Sequence, residues 1–125
     1  MNEKRNSIRY LSCAEIRIDE NQNTRMFLRD ISLTGCSITN SPSGFEADAI
    51  GDAIAGIYPE ADREYNIIIF PEAESGIMSF TLKVELCWSC IQGKLYAAGG
   101  IISGYPEGSQ YQLFANYLAW QAANI

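Results

Sequence analysis

Histidine is absent from the sequence, which removes the one side chain whose ordinary pKa lies near neutral pH. Hydrolytic chemistry that needs such a base, and zinc sites built on imidazole, lose their commonest ingredient. Basic residues are scarce as well: nine Lys and Arg stand against fifteen Asp and Glu, a formal net charge of −6. A surface of that sign repels long polyanions, so a nucleic acid polymer is not an expected partner. Long apolar runs are missing too. The longest near the middle, Ile67 to Phe70, has the length of a strand, far short of the roughly 20 residues of a membrane-spanning helix. No membrane insertion is expected. The start, Met-Asn-Glu-Lys-Arg, has neither the apolar core of a signal peptide nor a myristoylation pattern. A cytoplasmic location is the expectation, with the four cysteines kept as thiols. Internal repeats and low-complexity tracts are also lacking.

What is present suits one ordinary domain. The chain has 125 residues, 47% of them apolar and 11% aromatic, enough for a single continuous core. After a polar, basic start, Ala14, Ile16 and Ile18 interleave with Cys13, Glu15, Arg17 and Asp19, the period-two pattern of a strand. A polar turn at 20–23 leads to a return strand over 26–31, which makes a hairpin. Thr34-Gly35 marks a tight turn and 36–39 resumes an extended run. The Ser, Pro and Gly content of 40–44 predicts a loop. Residues 45–57 are ambiguous: their alanines favour helix, while Gly51 and Gly56 argue against a long one. Further strands are predicted over 65–70, 78–90 and 95–102, with turns at 72–76 and at Gln92-Gly93.

The tail changes period. Leu113, Phe114, Tyr117, Leu118 and Trp120-Gln121 recur every three to four residues, which predicts an amphipathic helix from about Ser109, with that serine as N-cap. Its aromatic stripe is expected to face the core, or in part a protein partner. The fold class that follows is mainly β, a small six-stranded antiparallel barrel with a C-terminal helix packed on its end or side.

Two short motifs carry chemistry. Arg5-Asn6-Ser7-Ile8-Arg9 is an Arg-x-x-x-Arg pair before the first strand, and Asp30-Ile31-Ser32-Leu33-Thr34-Gly35 is an Asp-x-Ser-x-x-Gly at the end of the second. Arginine offers a planar fork of donors that suits phosphate oxygens and the Hoogsteen edge of guanine, and it stacks on flat rings. An aspartate beside a turn accepts from a guanine's amino and imino groups, serine is a compact donor, and glycine permits a close approach. Alone, the first motif reads as a solvated basic segment and the second as a turn.

In order and spacing, with a barrel and helix around them, the two motifs resemble the PilZ family of cyclic di-GMP receptors. The resemblance runs from Lys4 to the terminal helix and takes in Val84-Glu85-Leu86-Cys87-Trp88 and Ala98-Gly99-Gly100-Ile101-Ile102. It departs at Ile102, where the family usually has phenylalanine at a core position. It implies a cyclic di-GMP receptor and no enzyme, with segment 1–12 as a ligand-binding arm on a single barrel-and-helix domain, 13–125. By resemblance, Arg5 and Arg9 grip guanine bases and phosphates, Asp30 and Ser32 contact a guanine, and Gly35 keeps the turn open. Lys4, just before the first arginine, bears on whether one ligand or an intercalated pair binds. Trp88 stands either beside the ligand or in the barrel core. The signal would pass by contact to a downstream protein that the sequence does not identify.

Two other readings compete. A barrel that acts only as a protein-interaction adaptor would keep the motifs without binding the nucleotide. Cys87-Trp88-Ser89-Cys90 has redox or zinc spacing, but a redox site wants a helix N-terminus and zinc wants further ligands. Inside a strand the two cysteines fall on opposite faces, so they are expected to be small buried or half-buried residues. Gly99-Gly100 is too short for a phosphate loop and is expected to serve close packing or a bulge.

Overall fold

The computed structural model describes residues 8–18, 25–50 and 58–124. Lys4, Arg5, the expected turn at 20–23, and Gly51 and Gly56 lie outside the described residues. The elements are β1 (Tyr10–Leu11), β2 (Glu15–Ile18), β3 (Met26–Ile31), β4 (Gly35–Thr39), β5 (Glu64–Phe70), β6 (Phe80–Gln92), β7 (Leu95–Gly104) and α1 (Gly108–Ala123). All pairings are antiparallel, and the lateral order β3-β2-β5-β6-β7-β4 returns to β3. Six strands therefore close a barrel, which leaves no open edge between them. The short β1 prolongs β2 along β3, with Leu11 opposite Asp30. Between them the chain stays on β3 through Ser12 N to Arg29 O at 3.0 Å and Leu28 N to Ala14 O at 2.8 Å.

Alternation explains which side faces in. Tyr65, Ile67 and Ile69 of β5, and Phe80, Leu82, Val84 and Leu86 of β6, are all buried, one face of each strand filling the barrel. Ile102 of β7 is half-buried against this core. Register shifts at Leu28/Asp30, Lys83/Val84 and Leu86/Trp88 mark bulges that bend the strands and help the small barrel close. Helix α1 covers one end. Phe114 and Tyr117 are fully buried, their ring centroids 6.1 and 5.7 Å from that of Phe80. Burying each ring contributes about 1.5–3 kcal/mol.

Three expectations need correction. The helix N-cap is Glu107, which makes no side-chain cap bond; Ser109 lies in the first turn, where Gln110 Oε1 accepts the Thr81 amide at 2.7 Å and ties that turn to β6. Trp88 is not a core residue. The shift at Leu86/Trp88 leaves Leu86 inside and turns Trp88 out, 44% exposed. Cys87 and Cys90 are free and exposed, not buried, because Cys87 falls within that shift and the end of β6 runs beyond the barrel's covered wall. In the described part of the ambiguous stretch, 45–50, Glu46–Asp48 forms a short 3-10 turn. Glu46 Oε2 accepts the Lys94 amide at 2.8 Å, which pins this turn to the β6–β7 hairpin.

Candidate ligand-binding site

Arg9 of the first motif meets Asp30 of the second on the outer wall of the barrel. Arg9, just before β1, donates from Nη1 to Asp30 Oδ1 at 3.2 Å, with side chains 37% and 17% exposed. The contact follows from register: β1 lies on β3 with Leu11 opposite Asp30, so the residue preceding β1 overhangs the aspartate. Arg9 also lines a shallow cleft of about 300 Å³ with Tyr10, Leu11, Gln121 and Asn124, so the end of α1 forms its far side.

Ser32 builds the turn that follows. Its hydroxyl accepts the amides of Thr34 and Gly35, both at 3.2 Å, and donates to the Gly35 carbonyl at 3.3 Å. Ser32 N closes the same turn on Gly35 O at 2.8 Å. The side chain is buried and its bonding capacity is already engaged. Gly35 serves close approach: a methyl group there would come 2.5 Å from the Gly100 carbonyl oxygen. A methyl at Gly100 would in turn meet the Glu85 carbonyl. The backbone of β7 therefore lies against Gly35, and that of β6 against Gly100.

Sequence reasoning missed part of this wall. Cross-strand partners give the row Leu11, Asp30, Ser37, Gly99, Trp88. A methyl at Gly99 would lie 2.6 Å from Trp88 Nε1, so the indole lies across the glycine. Ser37 Oγ is buried and has no hydrogen-bond partner among the described residues. The alternation of Cys36-Ser37-Ile38-Thr39 around the core residues Cys36 and Ile38 was the signal that placed Ser37 on this face. Behind the ion pair, burial pushes the Cys36 thiol up to about 12, and the Asp30 charge adds to the effect while Arg9 opposes it. That thiol stays protonated and unreactive at neutral pH.

Arg9, Asp30, Ser32 and Gly35 are thus gathered at one corner, while Lys4 and Arg5 lie outside the described residues. Among the described residues, no group of three or more Cys, Asp or Glu side chains is arranged to hold a metal ion. None of the described helices is long and apolar enough to cross a membrane.

No family model and no curated protein matches the sequence. Among solved structures, the chain is similar to the Bacillus subtilis inhibitor of motility MotI/DgrA, with a TM-score of 0.66 and 15% identity. The match covers 99% of this chain and 54% of that one, so the chain spans about half of that protein's length. The fold, a six-stranded antiparallel barrel with an extra strand and one C-terminal helix, is PilZ-like.

Proposed function

We propose that the protein is a receptor for cyclic di-GMP, without catalytic activity of its own, that passes its signal on by protein contact. The observation that carries this reading is the Arg9–Asp30 ion pair, which joins two motifs 21 residues apart at one exposed corner of a PilZ-like barrel. In the free protein Arg9 and Asp30 hold each other. A bound guanine offers Asp30 amino and imino donors, and its Hoogsteen edge and phosphates offer Arg9 acceptors. Lys4 and Arg5, on segment 1–12, add the positive charge that an anionic ligand needs on a chain of net charge −6. Ser32 and Gly35 contribute through the turn that presents Asp30, and Trp88 offers a ring face on the same wall. The barrel and helix, 13–125, form the platform.

Titration calorimetry with cyclic di-GMP tests the assignment. Wild-type protein binds, and Arg5→Ala, Arg9→Ala and Asp30→Ala each weaken binding about tenfold or more, the worth of a hydrogen bond to a charged group. Unchanged affinity in all three variants overturns the site. Wild-type protein that neither binds nor gains thermal stability at high ligand concentration leaves the adaptor barrel as the reading.

A further inference from the structure

A second cation on the outer wall is not used by the reading above. Arg29 stands where β3 shifts register between Leu28 and Asp30, and the extra residue of a bulge escapes its strand's alternation. Leu28 points into the core, whereas Arg29 is exposed beside Asp30. Its carbonyl, bonded to Ser12 N at 3.0 Å, fixes the backbone. Its guanidinium makes no ion pair among the described residues, unlike Arg9 with Asp30 and Arg25 with Glu15.

Arg29 lines a groove of about 430 Å³ with Leu11, Ser12, Ser41, Ser43 and Phe45, within the size range of small-ligand pockets. Leu11 and Phe45, 83% and 70% exposed, supply apolar walls. The loop that carries Phe45 is held in place. Gly44 N donates to Ser41 Oγ at 3.1 Å, Ser41 Oγ donates to Phe45 O at 2.8 Å, and Gly44 takes a φ of +84°. Leu11 also lines the cleft of Arg9, so the two hollows share a wall.

Charge decides what the groove is for. At the corner Asp30 offsets the charge of Arg9, so the described residues there bring no net positive charge to a ligand with two phosphates. The nearest unpaired fork along β3 is Arg29. We propose that this groove is a second anion subsite, in which Arg29 holds a phosphate of the nucleotide whose base is held at the Arg9–Asp30 corner. The guanidinium grips two phosphate oxygens at once, and the exposed Phe45 ring packs against the ligand's flat or apolar part. This inference rests on the receptor reading, and it adds a gripping residue outside both motifs.

The test is titration of the full chain with cyclic di-GMP, alongside NMR with inorganic pyrophosphate as a separate probe. Arg29→Ala and Arg29→Gln are expected to lower cyclic di-GMP affinity about tenfold or more with unchanged circular dichroism. Phe45→Ala loses less. Wild-type affinity in both Arg29 variants, with Arg9→Ala impaired, overturns the inference and leaves the receptor reading standing. If wild-type protein does not bind cyclic di-GMP, the receptor reading fails and pyrophosphate decides the groove. Millimolar pyrophosphate that shifts the Arg29 Nε resonance and the amides of Ser41, Ser43, Gly44 and Phe45, with the amide shifts lost in Arg29→Gln, upholds an anion site. No shift overturns it.

Discussion

The Ser12 hydroxyl and the Tyr117 phenol lie 2.9 Å apart, joining the start of the barrel to the helix 105 residues later. Tyr117 donates its proton to Glu72 Oε1 at 2.6 Å and accepts from Gln121 Nε2 at 2.9 Å, so the remaining contact has Ser12 as donor. Ser12 Oγ in turn accepts the Ala14 amide at 3.1 Å. One buried phenol thus holds β1, the β5–β6 connection and α1 together. Tyr117→Phe keeps the ring against Phe80 but strands these partners. It is expected to lower stability by about 1–3 kcal/mol, read from urea denaturation with an unchanged m-value. An unaltered midpoint would mean that the network contributes nothing net.

The glycine of the second motif is expected to be a packing residue. Gly35→Ala drives a methyl into the Gly100 carbonyl at 2.5 Å, backbone against backbone, with no flexible side chain to give way. The cost should be about 1–3 kcal/mol of overpacking, seen as a lower urea midpoint. Gly99→Ala is different, because its methyl meets the Trp88 indole, which can swing outward. Its signature is a shift in tryptophan emission with a smaller loss of stability.

Ser37→Ala is expected to go the other way. The Ser37 hydroxyl is buried without a partner among the described residues, a state that costs about 1–3 kcal/mol of desolvation. Removing it should leave stability unchanged or raise it, with denaturant titration as the check. A clear loss of stability would show that the hydroxyl has a partner in solution.

The barrel was largely legible because its strands obey a simple rule. The alternation of Ile16 and Ile18, of Ile67 and Ile69, and of Leu82, Val84 and Leu86 marks one wetted and one buried face, and a terminal 3.6-residue stripe marks the helix. Bulges were not legible. A register shift depends on how two strands fit each other, so nothing local in Leu28-Arg29-Asp30 or Leu86-Cys87-Trp88 announces it. The outward turn of Trp88, which excludes the core alternative, and the exposed cysteines both follow from one such shift. Ser109 has the right chemistry for an N-cap, yet the Gln110–Thr81 contact accompanies a helix that starts before it. At the corner, the Arg9 and Asp30 types were readable, whereas their 3.2 Å contact needed the β1–β3 register.

Alkaline pH should destabilise the fold through groups held neutral in its interior. The Cys36 thiol is raised from 9.0 to about 12 by burial first and Asp30 second. Burial likewise raises the Tyr96 and Tyr117 phenols from 10.0. A group raised in this way contributes its full stabilisation below the unfolded pKa and loses it as pH climbs toward the folded one. Stability should therefore hold to about pH 9 and fall progressively from there to about pH 12. Cys36→Ala, at a core cost of about 1–2 kcal/mol near neutrality, should make the first part of that fall shallower. Native protein should also react with a thiol reagent at the exposed Cys13, Cys87 and Cys90, and at Cys36 only on unfolding.

The Arg9–Asp30 pair should matter far more to ligand than to fold. With Arg9 37% exposed, solvent screens the pair, and exposed ion pairs contribute about 0–1 kcal/mol. Arg9→Ala, Asp30→Ala and the double variant are therefore expected to unfold within about 1 kcal/mol of wild type. Binding obeys different arithmetic, because each charged side chain then loses a bond of about 1.5–3 kcal/mol to the nucleotide. Cyclic di-GMP affinity should fall about tenfold or more for each single variant. In a double-mutant cycle the coupling measured on binding should exceed the coupling measured on stability, since a bound ligand excludes the water that screens the free pair. Equal couplings in the two cycles would make Arg9 and Asp30 a structural pair at the edge of β1, and the ligand would have to be sought elsewhere on the wall.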